Sequence, residues 1–502
     1  MHIGACLAQL AITRADHTAI VDDAGRWSFA QFHARCARFG NAMRGLGLAR
    51  GDRVALLLPD IREYLEVDYG TMAAGLVRVP LDPRLTRQEL VGLLRFSGAR
   101  ALVTHSSFAA KAERLTDEVE ALQSIVCVGR GRVGDGEIGL DYESLLEKSS
   151  ENPLPTGDGD DLATLNFSGG TTGAPKAVML RHRNLMAVAQ STIRAFEIES
   201  DAVFLNVRPL FPIAQVILMA HVFAGATVVL GGRADPDRLA ALIAQSGATR
   251  TSLVPTQLVR WLSHLHGGVP ELSSLEAIYV GGSRLPIRVF ERAFELLGPR
   301  IGMLYGMTEA PICCYLPPQS LADPARRARL METVGRPLPG YRVQIAGAEP
   351  SGEVLIQGGN VMAGYWQNKA ATNAVLRDGF LHTGDLGALD ADGNLAIVGR
   401  LNDVIRSGAS SILPKEVEDV IAAHPAVGEV AVLGLPDAEW GEAVTAFVVL
   451  RPGMSATEHD LVEHCRAHLA SYKKPRAVRF VTSLPRSHYG KVIRAELLAM
   501  VR

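Results

Sequence analysis

Apolar side chains at Phe29, Phe32, Cys36, Phe39 and Met43 recur at three- and four-residue steps behind Ser28, which predicts an amphipathic helix with a serine N-cap. Gly45 and Gly47 end it. A short apolar run follows at 54–58, closed by Pro59, then a helical stretch, a second run at 77–80, a helix behind Thr86 and a third run at 101–104. Strands separated by helices predict parallel pairing through right-handed crossovers. The same alternation returns between residues 180 and 305. The longest apolar stretch, 213–232, is interrupted by Gln215, His221, Thr227 and glycines. It reads as a buried helix followed by a buried strand at 226–230 rather than a membrane span.

Residues 150–161 form a polar stretch that predicts a loop. The texture changes after about residue 340, where short strand-like pieces such as 352–357 dominate and Asp392-Gly393-Asn394 predicts a hairpin turn. From about 403 the pattern becomes compact α+β, with a helix from Lys415, strands at 430–433 and 443–450, and a helix near 458–469.

With 502 residues the chain exceeds the roughly 250–300 at which single cores stop growing, so two or more domains are expected. A formal net charge of -2 argues against a nucleic-acid surface. Cys6, Cys36, Cys127, Cys313, Cys314 and Cys465 are scattered without metal-ligand spacing, the usage of a reduced compartment. The N-terminal residues lack the charged and apolar regions of a signal peptide, so a cytoplasmic protein without a membrane span is expected.

The sharpest chemical signal is the segment from Phe167 to Lys176, containing Ser168, Gly169, Gly170, Thr171, Thr172, Gly173, Ala174 and Pro175. Small residues let a backbone approach an anion, and its N–H groups, two hydroxyls and a lysine supply donors. A Walker A loop fits poorly, because Ala174-Pro175 precede the lysine. Tyr305-Gly306-Met307-Thr308-Glu309, Thr383-Gly384-Asp385, the run from Gly399 through Arg400 to Ile405, and Tyr489-Gly490-Lys491 follow in order. Each alone reads as an ordinary turn or surface residue. The ordered set resembles the adenylate-forming superfamily of acyl-CoA synthetases, luciferases and peptide-synthetase adenylation domains, and is most like an acyl- or aryl-CoA ligase. The resemblance covers nearly the whole chain, including the stretch Gly358, Asn360, Met362, Gly364, Tyr365 and Trp366.

That resemblance implies an α/β N-terminal domain over 1–401, with parallel-sheet layers, helices and a small β-barrel-like subdomain. A mobile α+β C-terminal domain over 402–502 would turn about a hinge at Asn402. It implies ATP as substrate with Mg²⁺, a loop at 168–176 gripping phosphate, and Gly281, Gly282 and Ser283 in the nucleotide site with Tyr305, Gly306 and Met307. By the same resemblance Tyr305 packs on adenine, Thr308 bonds the α-phosphate, Glu309 holds Mg²⁺, Asp385 and Arg400 meet the ribose, and Lys491 joins carboxylate and α-phosphate. Coenzyme A would be held by Arg84, Gly408, Trp440, Tyr472, Lys474 and Arg476. A carboxylic acid would face Phe211, Pro212, Val280, Gly282, Pro311, Ile312 and Cys313, whose apolar or small side chains imply an acid of apolar bulk. The resemblance admits a homodimer.

The chain departs from the family pattern at Gly169, where serine is common, at Ala177, at Asn402, and at His488-Tyr489. Pro212 stands where amino-acid-activating relatives carry aspartate and many ligases carry histidine. Nothing nearby would pair an α-ammonium, whose burial alone is costly. The implied reaction is acyl-AMP formation with release of pyrophosphate, then transfer to the thiol of CoA. Transfer to a carrier protein's phosphopantetheine and non-catalytic acyl-nucleotide binding are the alternatives. A dinucleotide enzyme is disfavoured, because Gly45, Gly47 and Gly51 follow a helix rather than a strand.

Overall fold

The computed structural model describes residues 2–129, 132–133, 136–137, 139–154, 157–168, 175–211, 215–265, 272–283, 285–347, 351–408, 410–486 and 492–500. The chain divides into two compact units. One comprises Met1–Met331, Gly335–Arg342 and Ile356–Leu381, the other Glu332–Val334, Val343–Leu355 and His382–Arg502.

In the first unit, after a helix at Ile3–Thr13, the helix expected behind Ser28 spans Phe29–Gly45. Its N-terminal donors are met by a capping box, with Gln31 N donating to Ser28 Oγ at 3.2 Å and Ser28 N donating to Gln31 Oε1 at 2.8 Å. Phe29, Phe32, Cys36, Phe39 and Met43 are buried, the face that the spacing predicted. Full burial of each large apolar side chain stabilises by about 1.5–3 kcal/mol. Gly47 then turns the chain at φ +87°. Thr86 and Glu89 build a second capping box at the helix Arg87–Ser97, which Gly98 closes at φ +62°.

The apolar runs become the parallel strands Arg53–Leu57, Val77–Pro80 and Ala99–His105. Among the described residues they are the centre of an eight-stranded sheet, which continues through Leu162–Ser168 and Lys176–Arg181 to the short strand Gly364–Tyr365. A nine-stranded sheet holds the second alternating region, with Val203–Asn206, Arg250–Leu253, Ala277–Val280 and Ile301–Met307 in parallel and Ala310–Leu316 returning antiparallel. The stretch that mimics a membrane span is the helix Gln215–Ala224 followed by the strand Thr227–Leu230. Among the described residues no helix is long and apolar enough to cross a membrane.

Phe380–Leu389, which belongs to the second unit from His382 onward, and Leu395–Arg400 form the expected hairpin. Asp390 N donates to Asn394 O at 3.0 Å and Gly393 takes φ +79°. The small barrel-like subdomain expected here is an open sheet: among the described residues no pairing closes it on itself. The α+β part pairs Val427–Asp437 with Gly441–Leu450 along their whole length, adds Ala477–Phe480 in parallel, and covers them with helices Pro414–Ala423 and Glu458–His468. The strands outrun the apolar segments 430–433 and 443–450 because backbone pairing continues past the buried residues to Asp437↔Gly441 at the hairpin tip. Ile405, Val417, Val432, Val444, Val448 and Leu461 form its core.

Candidate active site

The strand Ile301–Met307 ends in the Tyr-Gly-Met-Thr-Glu motif, beside the end of its parallel neighbour Ala277–Val280. Carboxyl ends of parallel strands are where α/β sheets bind ligands. Gly281, Gly282 and Ser283 therefore emerge next to Tyr305, Gly306 and Met307, and both segments were assigned to nucleotide from sequence. None of these three glycines is incidental. A Cβ on Gly306 would lie 2.5 Å from Ile312 N, one on Gly281 would lie 2.9 Å from Leu304 Cβ, and Gly282 takes φ +94°. Register shifts between Tyr305↔Cys314 and Met307↔Ala310. Opposite this irregularity Ile312 takes φ +42°, an uncommon conformation for a β-branched residue and a form of local strain found at ligand sites.

Thr308 and Glu309 occupy the turn between the two strands. Glu309 is only 8% exposed, and its Oε1 accepts a hydrogen bond from the Tyr365 hydroxyl at 2.8 Å. Burial and the adjoining Glu309 carboxylate push the Tyr365 phenol well above its usual range, so it stays a donor. Met362 N also donates to Glu309 O at 2.8 Å.

The phosphate-loop candidate joins two antiparallel strands, with Ser168 opposite Lys176. Gly169, Gly170, Thr171, Thr172 and Gly173 lie outside the described residues. Lys176 is exposed, and its Nζ lies 5.5 Å from the centre of the Tyr365 ring.

The strand leading into this loop is anchored by a group that the sequence reading did not single out. Arg78, 1% exposed, pairs with buried Asp68 at 2.6 Å and donates from Nε to Thr164 Oγ1 at 3.0 Å; its Nη2 reaches Asn166 Oδ1 at 3.4 Å. Thr164 and Asn166 alternate onto one face of Leu162–Ser168, so one guanidinium holds both. The signal in the sequence was an arginine inside an otherwise apolar strand, Val77–Pro80.

Among the acid-pocket candidates, Val280 belongs to a hydrophobic core with Val207 and Leu253. Pro311, Ile312 and Cys313 are consecutive in the buried strand Ala310–Leu316, and Cys313 Sγ is 3.4 Å from Asn360 Nδ2. Phe211 is half-buried in the turn after Leu210, and Pro212 is outside the described residues. Arg84 is exposed and forks onto Asp82, with Nε–Oδ1 at 2.9 Å and Nη2–Oδ2 at 2.5 Å.

In the second unit Asp385 and Arg400 face each other across the hairpin. Asp385 is 5% exposed, and its Oδ1 lies 2.9 Å from Arg400 Nε. Thr383 and Glu353 fix the approach: Asp385 N donates to Thr383 Oγ1 at 3.0 Å, Gly384 N donates to Glu353 Oε1 at 3.0 Å, and Gly384 takes φ +70°. Asn402 is exposed in the turn Leu401–Asp403.

Gly408, Trp440 and Arg476 come together. Gly408 N donates to Trp440 O at 2.7 Å, and the Arg476 guanidinium stands 3.8 Å from the centre of the indole. Tyr472 and Lys474 lie on the adjacent turn, where Tyr472 is half exposed and Lys474 Nζ donates to Ser471 O at 3.4 Å. Lys491 falls outside the described residues. Its segment leaves at Arg486 and returns at Val492, which are bridged, with Ile493 N donating to Pro485 O at 2.8 Å.

Two family models match the chain: AMP-binding enzyme over residues 7–366, and AMP-binding enzyme C-terminal domain over 416–491. A feruloyl-CoA synthase of Amycolatopsis sp. is 34% identical over 481 residues, covering 94% of this chain and 93% of the relative. A 3-[(3aS,4S,7aS)-7a-methyl-1,5-dioxo-octahydro-1H-inden-4-yl]propanoyl:CoA ligase of Rhodococcus jostii is 33% identical over 494 residues, covering 95% and 94%. Among solved structures, ATP-bound MatB from Rhodopseudomonas palustris superposes with a TM-score of 0.90 at 29% identity, covering 100% of this chain and 99% of that one. The anthranilate CoA ligase AuaEII in complex with anthranoyl-AMP superposes at 0.89 with 26% identity, covering 100% and 97%.

Proposed function

Because the chain belongs to the AMP-binding enzyme family, we propose that it is an acyl-CoA synthetase, an AMP-forming acid–thiol ligase acting on a carboxylic acid of apolar bulk. The carboxylate attacks the α-phosphorus of ATP, forming acyl-AMP and releasing pyrophosphate. The thiolate of CoA then attacks the acyl carbon, and AMP leaves with the electron pair of the anhydride bond. The observation that carries the reading is the match of both family domains, in order, along one chain that aligns over nearly its full length with CoA-forming relatives.

No covalent enzyme intermediate is needed, so positioning and charge stabilisation are what the residues supply. Residues 168–176 cradle the phosphates with backbone donors, and Thr308 donates to the α-phosphate. Tyr305 stacks on the adenine beside Gly281, Gly282 and Ser283. Asp385 accepts from the ribose hydroxyls while Arg400 orients it. Lys491 bridges the incoming carboxylate and the α-phosphate, offsetting the charge that gathers as the bond forms.

Glu309 fits a place for Mg²⁺: it is a buried hard-oxygen ligand with a phenol on one oxygen. Mg²⁺ is usually held by one or two carboxylates and substrate phosphates, and among the described residues no group of three or more His, Cys, Asp or Glu side chains could hold a metal ion. When bound, the ion neutralises phosphate charge. For the second step Gly408, Trp440, Tyr472, Lys474 and Arg476, with Arg84, hold the CoA nucleotide, and Asn402 is the hinge between domains 1–401 and 402–502. Phe211, Pro212, Val280, Gly282, Pro311, Ile312 and Cys313 line the acid's path.

The test is pyrophosphate release across fatty, aryl, alicyclic and terpenoid acids, with and without CoA. Acid-dependent release and a CoA thioester are expected. Release without a CoA thioester, but with loading of a carrier protein, would reassign the acceptor. Absence of release over the whole panel would remove the ligase reading.

A further inference from the structure

The stretch Gly358–Trp366 belongs to the family pattern, and its geometry gives it a role. Gly364 takes φ +137°, and a Cβ there would lie 2.7 Å from Thr372 Cγ2, so glycine is required where the chain bends. The bend delivers Tyr365 into four interactions. Its backbone N donates to Thr372 Oγ1 at 2.9 Å. The residue pairs with Val178, and Trp366 N donates to Ala177 O at 2.8 Å, in the strand that leaves the phosphate loop. Its side chain spans to the nine-stranded sheet, where the hydroxyl donates to Glu309 Oε1 at 2.8 Å. Its ring also faces Lys176 Nζ at 5.5 Å from its centre.

We propose that Tyr365 is a positioning residue that fixes the Glu309 carboxylate for the metal and registers the exit of the phosphate loop against it. This rests on the reading of Glu309 as a Mg²⁺ ligand. The phenol commits Oε1 and thereby sets the rotamer that presents the other oxygen. A carboxylate that must turn to find its cation loses affinity, and removing such an outer partner typically costs about 10–100-fold in metal binding. The ring provides the second function. It holds the Lys176 ammonium at its face while its hydroxyl holds the Glu309 carboxylate, so the loop's cation and the metal's anion are set by one side chain rather than by two independent loops. Segment 359–363 braces the arrangement: Asn184 Nδ2 donates to Gly359 O at 2.8 Å and to Val361 O at 2.9 Å.

Tyr365→Phe removes one oxygen and keeps the ring, the packing and the contact with Lys176. The probe is Mn²⁺ with the unreactive analogue α,β-methylene-ATP, followed by calorimetry on the full chain, together with the Mg²⁺ dependence of pyrophosphate release. Expected is a weakening of about 10-fold in metal-dependent analogue binding and a similar rise in half-saturating Mg²⁺, with metal-free nucleotide binding unchanged. Tyr365→Leu should add a loss of metal-free nucleotide binding, because Lys176 loses its ring. Glu309→Gln is measured alongside. If Glu309→Gln weakens metal-dependent binding and Tyr365→Phe does not, the positioning role is overturned while the metal site stands. If neither does, Glu309 is not the metal ligand and both statements fall. Thermal unfolding of each variant separates a lost fold from a lost ligand.

Discussion

Arg476 stacks on Trp440, its guanidinium carbon 3.8 Å from the centre of the indole, on the side chain whose backbone carbonyl accepts from Gly408 N at 2.7 Å. A Cβ on Gly408 would stand 3.3 Å from Trp440 Cε3, so the loop glycine and the indole are nearly in contact. Such a cation–ring pair contributes about 0.5–2 kcal/mol, and in the proposed reading it receives the phosphorylated adenosine of CoA. Trp440→Ala is expected to raise the KM for CoA by about 10-fold and to move the KM for the acid by less than about two-fold. Steady-state kinetics with each substrate varied provides the check, and an unchanged CoA dependence would remove Trp440 from the site.

Lys491→Ala should slow acyl-AMP formation by about 10²–10³-fold, the usual loss of a preorganised donor. Transfer from preformed acyl-AMP to CoA should slow far less. The segment that carries it is tied at its base by the Arg486–Val492 bridge and by Arg486 Nη2 on Glu429 Oε2 at 2.7 Å, so truncating one lysine leaves the anchors in place. Single-turnover measurement of both half-reactions decides; equal slowing would contradict separate conformations for the two steps.

The pair Arg78–Asp68 is fully enclosed, and removing one partner leaves a buried charge uncompensated. Arg78→Met is expected to cost about 3–5 kcal/mol of unfolding free energy, and Arg78→Met combined with Asp68→Leu to recover most of it. Denaturant unfolding of the two variants beside the parent protein tests this. A single-variant cost below about 1 kcal/mol would mean that the network does not anchor the strand.

Burial holds the His221 imidazole down at about 3, far below its ordinary 6.5. Its Nδ1 lies 2.8 Å from Ile217 O, an acceptor only, so Nδ1 carries the proton of the neutral ring. Between those two values the unfolded chain binds the proton and the folded chain does not. Stability is therefore intact above the unfolded value and falls as pH drops from 6.5 toward 3. Going from pH 7 to 5 should cost about 2 kcal/mol through this residue alone. His221→Phe, which keeps the stack on Phe204, should reduce the loss by about that amount. Parallel acid slopes for the two proteins in denaturant titrations would refute the assignment.

Local chemistry was the legible part of the chain. Ser28 with Gln31 and Thr86 with Glu89 are neighbours in sequence, so their capping boxes can be read directly, and Gly393 at a hairpin tip is readable for the same reason. What failed to show was contact over distance. Glu309 and Tyr365 stand 56 positions apart, and nothing in either local pattern announces that they meet. Arg78 was hidden inside a run whose apolar neighbours set the pattern. Val280 illustrates a different limit: the wall of an apolar pocket and the interior of a core use the same side chains, and its packing with Val207 and Leu253 is compatible with either. Among the described residues the barrel-like subdomain does not close: short alternating strands are compatible with closed or open sheets, and closure depends on register between ends that sequence does not specify.

The bend at Gly364 has a consequence for anyone moving this chemistry to another scaffold. A transplant of the glycine-rich turn with its two flanking strands would arrive without the aromatic strut that seats it, because that strut comes from a remote stretch of chain laid alongside the exit strand. In the proposed reading the phosphate- and metal-binding part is discontinuous: 162–181, 301–316 and 359–366 would have to travel as three pieces held in register. Changes at position 364 or 365 are therefore felt as misalignment of charges rather than as a missing reactive group.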